Sequence, residues 1–389
     1  MKVIGIVAEY NPFHNGHAYQ IAYAREVLKA DYIIIAMSGP FTQRGDIACF
    51  DKYSRAQMAL ENGADIVLEI PVIFTVSSAR EYASCGVRLL AATGLVDTIL
   101  FGAETSENSL FKESAEKILK ISQTEAFNHY IAAEVRQGIS YAKARADYLR
   151  DYIPSELMSS SNNILGLEYS LAIAEAGIDM SIECLHRKGN AYNESKLTGS
   201  FSSATAIRQA ISENRPVTGL PECVRRIIKN KPFVCQEDLS LLLHYKLLNQ
   251  NDFTLFLDCN REVSDRINKY KKDFSSVGQF CDLLKTKNYT YTRINRILTH
   301  ILLDIMAEDF ATAKSAGYVS YLRMLGFSKK GKELLPYLKK APLPLLTAPN
   351  DLTSHYDIKA ADIYNMVVTQ KTGLPQPNEY SRKFTLANI

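Results

Sequence analysis

The chain has 389 residues, 47% of them hydrophobic and 22% charged, with a formal net charge of +3. That length exceeds what a single core usually supports, so two domains, or one with a large extension, are expected, and the composition excludes a largely disordered chain. So small a charge does not by itself imply a nucleic-acid partner, and the absence of a signal pattern, a membrane-length apolar run or a CxxC pair among the seven cysteines points to a cytoplasmic protein with reduced thiols and no structural zinc.

The N-terminal half alternates apolar runs with helical patterns, the signature of crossover units around a parallel sheet. Strands are expected at Val3–Ala8, Asp31–Met37, Asp65–Ile70 and Thr98–Phe101, with helices near His17–Leu28, Lys52–Asn62 and Ser78–Ala92. Residues from Glu107 to Asp151 read as helical throughout, Asn163–Ala176 as another helix and Ser181–Leu185 as a last strand, followed by a loop and the helix of "SSATAIRQAI". Pro216, Gly219 and Pro221 mark a break, and the pattern beyond it is mostly helical to about Leu338. The boundary is placed near residue 221, giving an α/β unit over 1–221 and a mainly α-helical unit over 222–389.

Ligands of open α/β sheets bind beyond the carboxyl ends of the strands. There the first strand runs into "NPFHNGH", which uses two of the seven histidines, His14 and His17, three residues apart at the start of a helix. Gly16 allows close approach to the backbone, and a helix N-terminus with two imidazoles is suited to phosphate and to charge building on it during attack. A metal would need further ligands, and no HExxH or carboxylate cluster supplies them. The alternative, two histidines that merely cap and pack, stays open for the motif alone.

Far downstream, "FSSATAIRQA" offers Ser202 and Ser203 as helix caps and Arg208 within two turns, an arrangement that also suits phosphate. Arg44, Lys52 and Arg55 in "QRGDIACFDKYSRAQMA" suggest a further anion-rich region. Basic residues gather after residue 222, and "KTKNYTYTRINRILTH" interleaves Lys285, Lys287, Arg293 and Arg296 with Tyr289 and Tyr291, a composition suited to phosphate contact and base stacking in RNA.

"HNGH" together with "SSATAIR" resembles the paired signatures of the HxGH nucleotidylyltransferases, which attack an α-phosphate and release pyrophosphate. The blocks "GIVAEYNPFHNGH", "MSGPFTQRGD", "DKYSRAQMALENGADIVLEIP", "FGAE", "SSNNILGLEY" and "YLRMLGFSKKGKELL" are similar to the bacterial tRNA(Met) cytidine acetate ligase family over nearly the whole chain. The resemblance implies a Rossmann-like nucleotidyltransferase domain followed by a helical tRNA-binding domain. The implied activity converts acetate and ATP to acetyl-adenylate and acetylates the wobble cytidine of elongator tRNA(Met), giving N4-acetylcytidine. It implies an ATP-binding loop of Val7, Ala8, Glu9, Tyr10, Asn11, Pro12, Phe13, His14, Asn15, Gly16, His17, Ala18, Tyr19 and Gln20, with further nucleotide contacts at Gly102, at Asn162 or Asn163, and at Arg187. His14 and His17 would face the triphosphate, Ser203 and Arg208 would hold the leaving phosphates, and magnesium would arrive on the ATP. No covalent enzyme intermediate, membrane or protein partner is implied. A small-molecule adenylyltransferase of cofactor biosynthesis, or an RNA-binding factor that has kept the fold without the chemistry, would share parts of this pattern.

Overall fold

The computed structural model describes residues 1–187 and 202–387, so most of the loop expected before "SSATAIR" lies outside the described residues. Five strands in the N-terminal half run parallel: β1 Val3–Ala8, β2 Tyr32–Ser38, β3 Ile66–Ile70, β4 Thr98–Ala103 and β5 Ser181–His186. Each lies within two residues of its expected position. Their order, β5-β4-β1-β2-β3, reverses direction between β1 and β4, and such a switch point opens a crevice at the strand ends.

Both faces of the sheet are covered, which is why its central strands are apolar almost throughout instead of alternating. Ile4, Ile6, Ile33, Ile35 and Met37 join the core under the Asn15–Glu26 and Lys52–Glu61 helices, while Ile34, Ala36, Leu68 and Ile99 join the core on the opposite face, under the Ala79–Ala91 and Ser161–Ala176 helices.

Two expectations are corrected. The stretch read as continuous helix breaks into Asn108–Ser122, Glu125–Arg136 and Tyr141–Leu149, because Thr124 and Ser140 cap new helices and Gly138 turns the chain at φ +85°. The second concerns "YLRMLGFS", read as helical but forming strand β6, Leu322–Ser328, antiparallel to β3. Every residue of β6 is buried, so its apolar run shows no period to separate strand from helix. The short strands β7, Leu345–Leu346, and β8, Thr385–Ala387, pair with β6. Residues after 221 are mostly helical, yet they complete the same sheet; residue 221 marks a change of element type and not the sheet's edge.

Candidate active site

The segment after β1 is held from several directions. Tyr10 adopts the left-handed conformation, φ +49°, and its buried ring packs 4.8 Å from both Phe13 and His17. Asn11 accepts the Cys49 N–H with its side chain at 2.8 Å and the Arg208 guanidinium with its carbonyl at 2.7 Å. Gln20 donates to the Leu100 carbonyl on β4 at 3.1 Å. A sheet-anchored loop thus delivers the two histidines to the switch point.

His14 is the N-cap of the Asn15–Glu26 helix: its Nδ1 accepts the Gly16 N–H at 3.0 Å, while Nδ1 of His17 accepts the His14 N–H at 3.2 Å. The rings stack 3.7 Å apart at 16°. A Cβ at residue 16 would lie 2.9 Å from the His14 ring, so the cap requires glycine there. Burial, followed by the charge of Arg187, pushes the His14 imidazole down to about 3, and burial with the charges of His14 and Arg187 pushes His17 well below its usual value. Both rings are therefore neutral near pH 7. Because each Nδ1 accepts, each proton sits on Nε2, which leaves two uncharged donors side by side.

The helix's own N–H groups are less available than its sequence suggests. Asn15 donates to the Gly219 carbonyl, Gly16 to His14 Nδ1, and His17 to the His14 carbonyl. An anion here would meet the rings' outer edge in place of a bare helix end.

The histidines line a cavity of about 420 Å³, together with Ser203, Ala204 and Arg208 from the start of the Ala204–Ser212 helix. Ser203 caps that helix through the Ala206 N–H at 3.1 Å, and Arg208 also reaches Thr205 Oγ1 at 3.3 Å. Gly102 and Arg187 line the wall near β4 and β5. Of the two asparagines, Asn162 lines the cavity, accepting from Arg187 at 3.3 Å and donating to Glu104 at 2.7 Å. Asn163 is turned away and buried, accepting from the Glu104 and Thr105 N–H groups and donating to the Glu156 carbonyl. Within Val7–Gln20, the residues Pro12, Phe13, Asn15 and Ala18 do not line the cavity. Three guanidiniums, of Arg44, Arg187 and Arg208, share it with the Glu9 carboxyl, so the cavity is built for a polyanion.

Two basic residues expected near anions serve the scaffold. Lys52 is buried between Glu69 at 2.8 Å and Glu379 at 2.6 Å, and Arg55, fully buried, donates to the carbonyls of Glu9, Ser38, Gly39 and Phe50. In the helical half, Lys285, Lys287 and Tyr291 are exposed, Lys285 pairs with Asp282, and Arg293 makes two bonds to Asp258. Tyr289 does not fit the stacking expectation: it is 2% exposed, with its hydroxyl held by Asn260 and Glu262.

No motif signals the way this half reaches the cavity. Asn295 and Thr299 on the Tyr291–Leu303 helix bond the backbone of Arg44 and Gly45, and Thr292 lines the cavity itself. Gln43, Tyr82, Phe101 and Tyr169 also line it; Gln43, Phe101 and Tyr169 stand in blocks that carry the family resemblance, but nothing in their residue types marked them as part of the site.

Comparison with known proteins adds to this geometry. The HIGH Nucleotidyl Transferase family matches residues 1–378. A Thermoanaerobacter protein (strain X514) named tRNA(Met) cytidine acetate ligase is 36% identical over 94% of this chain and 95% of its own. A Clostridium perfringens protein (strain ATCC 13124) of the same name is 33% identical over 94% and 96%. Among solved structures, Thermotoga maritima TmcAL superposes with a TM-score of 0.90 at 30% identity over the whole of both chains, and its form bound to alpha-thio ATP superposes at 0.89.

Proposed function

The chain belongs to the HIGH nucleotidyl transferase family and, within it, to the tRNA(Met) cytidine acetate ligases, and from that premise we propose that it activates acetate with ATP and acetylates a cytidine of tRNA(Met). The observation that carries the chemistry is the pair of neutral, stacked imidazoles, both with Nε2–H outward, in one cavity with Arg208 and Ser203.

Acetate attacks the α-phosphorus, a P–O bond forms, and pyrophosphate leaves with the electrons of the broken bond. His14 and His17 donate through Nε2–H to oxygens on which charge accumulates, from positions already fixed before the reaction. Arg208 and the start of the Ala204–Ser212 helix hold the β- and γ-phosphates. Asn162, Arg187 and Gly102 contact the nucleoside. Magnesium, which the family resemblance implies with ATP, would be carried mainly by the phosphates of the substrate. The acetyl group then passes from AMP to the exocyclic amine of the wobble cytidine.

In this reading residues 1–221 carry the adenylate chemistry, and residues 222–389 hold the RNA through Lys285, Lys287, Tyr291, Arg293 and Arg296. A small-molecule adenylyltransferase is less favoured, since the relatives share the helical half as well as the nucleotide domain. Labelled acetate and ATP given without tRNA should yield bound acetyl-AMP, and elongator tRNA(Met) should then convert the label to N4-acetylcytidine. Pyrophosphate exchange that ignores acetate would sink the proposal.

A further inference from the structure

The cavity straddles the carboxyl edge of the sheet, and its two sides differ in character. On the side of the histidines, the guanidiniums of Arg187 and Arg208 act on the His14 ring, while Arg44 reaches Ser161 Oγ at 3.4 Å. On the other side, beneath the Ala79–Ala91 and Ser161–Ala176 helices, its wall is formed by Glu9, Gln43, Tyr82, Phe101 and Tyr169. Three aromatic rings there are almost completely buried, at 2% exposure for Tyr82, 5% for Phe101 and 4% for Tyr169.

Two polar groups in this lobe are left without partners. Glu9 accepts the Gln43 N–H with Oε1 at 2.7 Å, and its Oε2 carries no hydrogen bond among the described residues. The Tyr169 hydroxyl likewise has no hydrogen bond, whereas the Tyr82 hydroxyl meets Ser38 Oγ at 3.3 Å. Neither atom is among the fully buried polar atoms that lack a partner, so both open into the cavity, where a ligand can meet them. An acceptor and a donor, set among aromatic faces, complement the edge of cytosine, which presents the N4 amine as donor and N3 as acceptor. Uracil presents the opposite pair, O4 and N3–H: its O4 would face the Glu9 acceptor like against like, while the Tyr169 hydroxyl can turn to accept N3–H, so the discrimination lies with Glu9.

We infer that this lobe is the seat of the acceptor base, with Glu9 accepting from the cytosine N4 amine and Tyr169 donating to N3. The inference rests on the acetyl-transfer reading above and identifies the part of the cavity that selects the nucleotide. Thr292, on the helix that carries Arg293 and Arg296, lines the same cavity and gives the helical half access to it. In the transfer step the N4–C bond forms at the acetyl carbonyl, the C–O bond to AMP breaks with its electrons leaving on the phosphate, and the N4 proton passes to the free Glu9 oxygen.

The test is the affinity of the full chain, with AMP present, for two anticodon stem-loops that differ only in cytosine or uracil at the wobble position. The wild-type protein should prefer cytosine by about ten- to a hundredfold, the discrimination of one good paired contact. Glu9→Gln should collapse that ratio towards one, and Tyr169→Phe should weaken both stem-loops to a similar extent, with AMP affinity measured in parallel. Tyr169→Phe keeps the packed ring, so it reports even if Glu9→Gln folds poorly. A cytosine preference that survives Glu9→Gln, or unchanged affinity for both stem-loops in Tyr169→Phe, would overturn the inference. So would a loss of AMP affinity with the preference intact, which would assign the lobe to adenine. If neither stem-loop binds the wild-type chain, the tRNA reading itself fails and the inference falls with it.

Discussion

Replacing His14 by asparagine separates two functions that the ring combines. Its inner nitrogen caps the first helix through Gly16, and its outer nitrogen faces the cavity. Asparagine is among the best N-caps, so its amide oxygen takes over the Gly16 N–H while nothing replaces Nε2–H. The expected loss of stability is about 1 kcal/mol, the worth of the stack with His17. His14→Ala loses the cap as well, for a total of about 2 kcal/mol. Acetate-dependent pyrophosphate exchange should fall about 10²–10³-fold in both variants, the usual effect of removing one transition-state donor. His14→Gln should show the converse, a lost cap with part of the exchange restored, because its amide N–H reaches towards the place of Nε2. Urea titration and exchange rates on the same preparations give both readings. A folded His14→Asn protein with near-normal exchange would refute the donor role, and one as unstable as His14→Ala would refute the cap.

The depressed imidazole of His14 also makes stability depend on pH. The unfolded chain takes up a proton below its ordinary value of 6.5, which the folded chain refuses until about 3, so stability should fall as pH drops through that window, and less steeply in His14→Asn. Equal slopes in urea midpoints measured from neutral to acid pH would contradict this. Lys52→Met leaves Glu69 and Glu379 facing each other without their shared cation and should cost about 3–5 kcal/mol. A raised KM for ATP without a loss of stability would instead return Lys52 to the phosphates. Lys285→Glu with Lys287→Glu should weaken tRNA binding and flatten its salt dependence, since fewer phosphates release counterions. An unchanged binding curve across a salt series would place the RNA surface elsewhere.

The parts of the fold legible in the sequence are those where local chemistry and burial agree. The five parallel strands are apolar runs bounded by polar turns, and His14, Ser203 and Arg208 stand in spaced motifs, so both could be placed from the residues. Strand β6 could not: like β2 and β3 it lacks alternation, but it follows a run of helical segments instead of the strand–helix rhythm that marked them. Lys52 and Arg55 misled for a related reason: a buried cation and a phosphate ligand are the same residue type in the sequence, and only the positions of Glu69, Glu379 and four carbonyls tell them apart. Tyr289 looked like a stacking surface because its partners, Asn260 and Glu262, lie about thirty residues away. The choice between Asn162 and Asn163 depended on the direction of two side chains on one helical turn, which neither composition nor spacing encodes.

The ion pair between Lys52 and Glu379 ties an early residue to a late one, and 326 positions separate its neighbour Tyr53 from the same glutamate. A ribosome builds the chain from the other end, so Lys52 and Glu69 emerge long before Glu379 exists. Throughout that interval the nascent N-terminal half holds an ammonium that has only one of its two carboxylates, beside a β3 edge that still awaits β6. Partly built intermediates with an open strand edge are prone to association. The late arrival of residues 322–387 therefore acts as a latch, which closes the sheet only once those residues have been made.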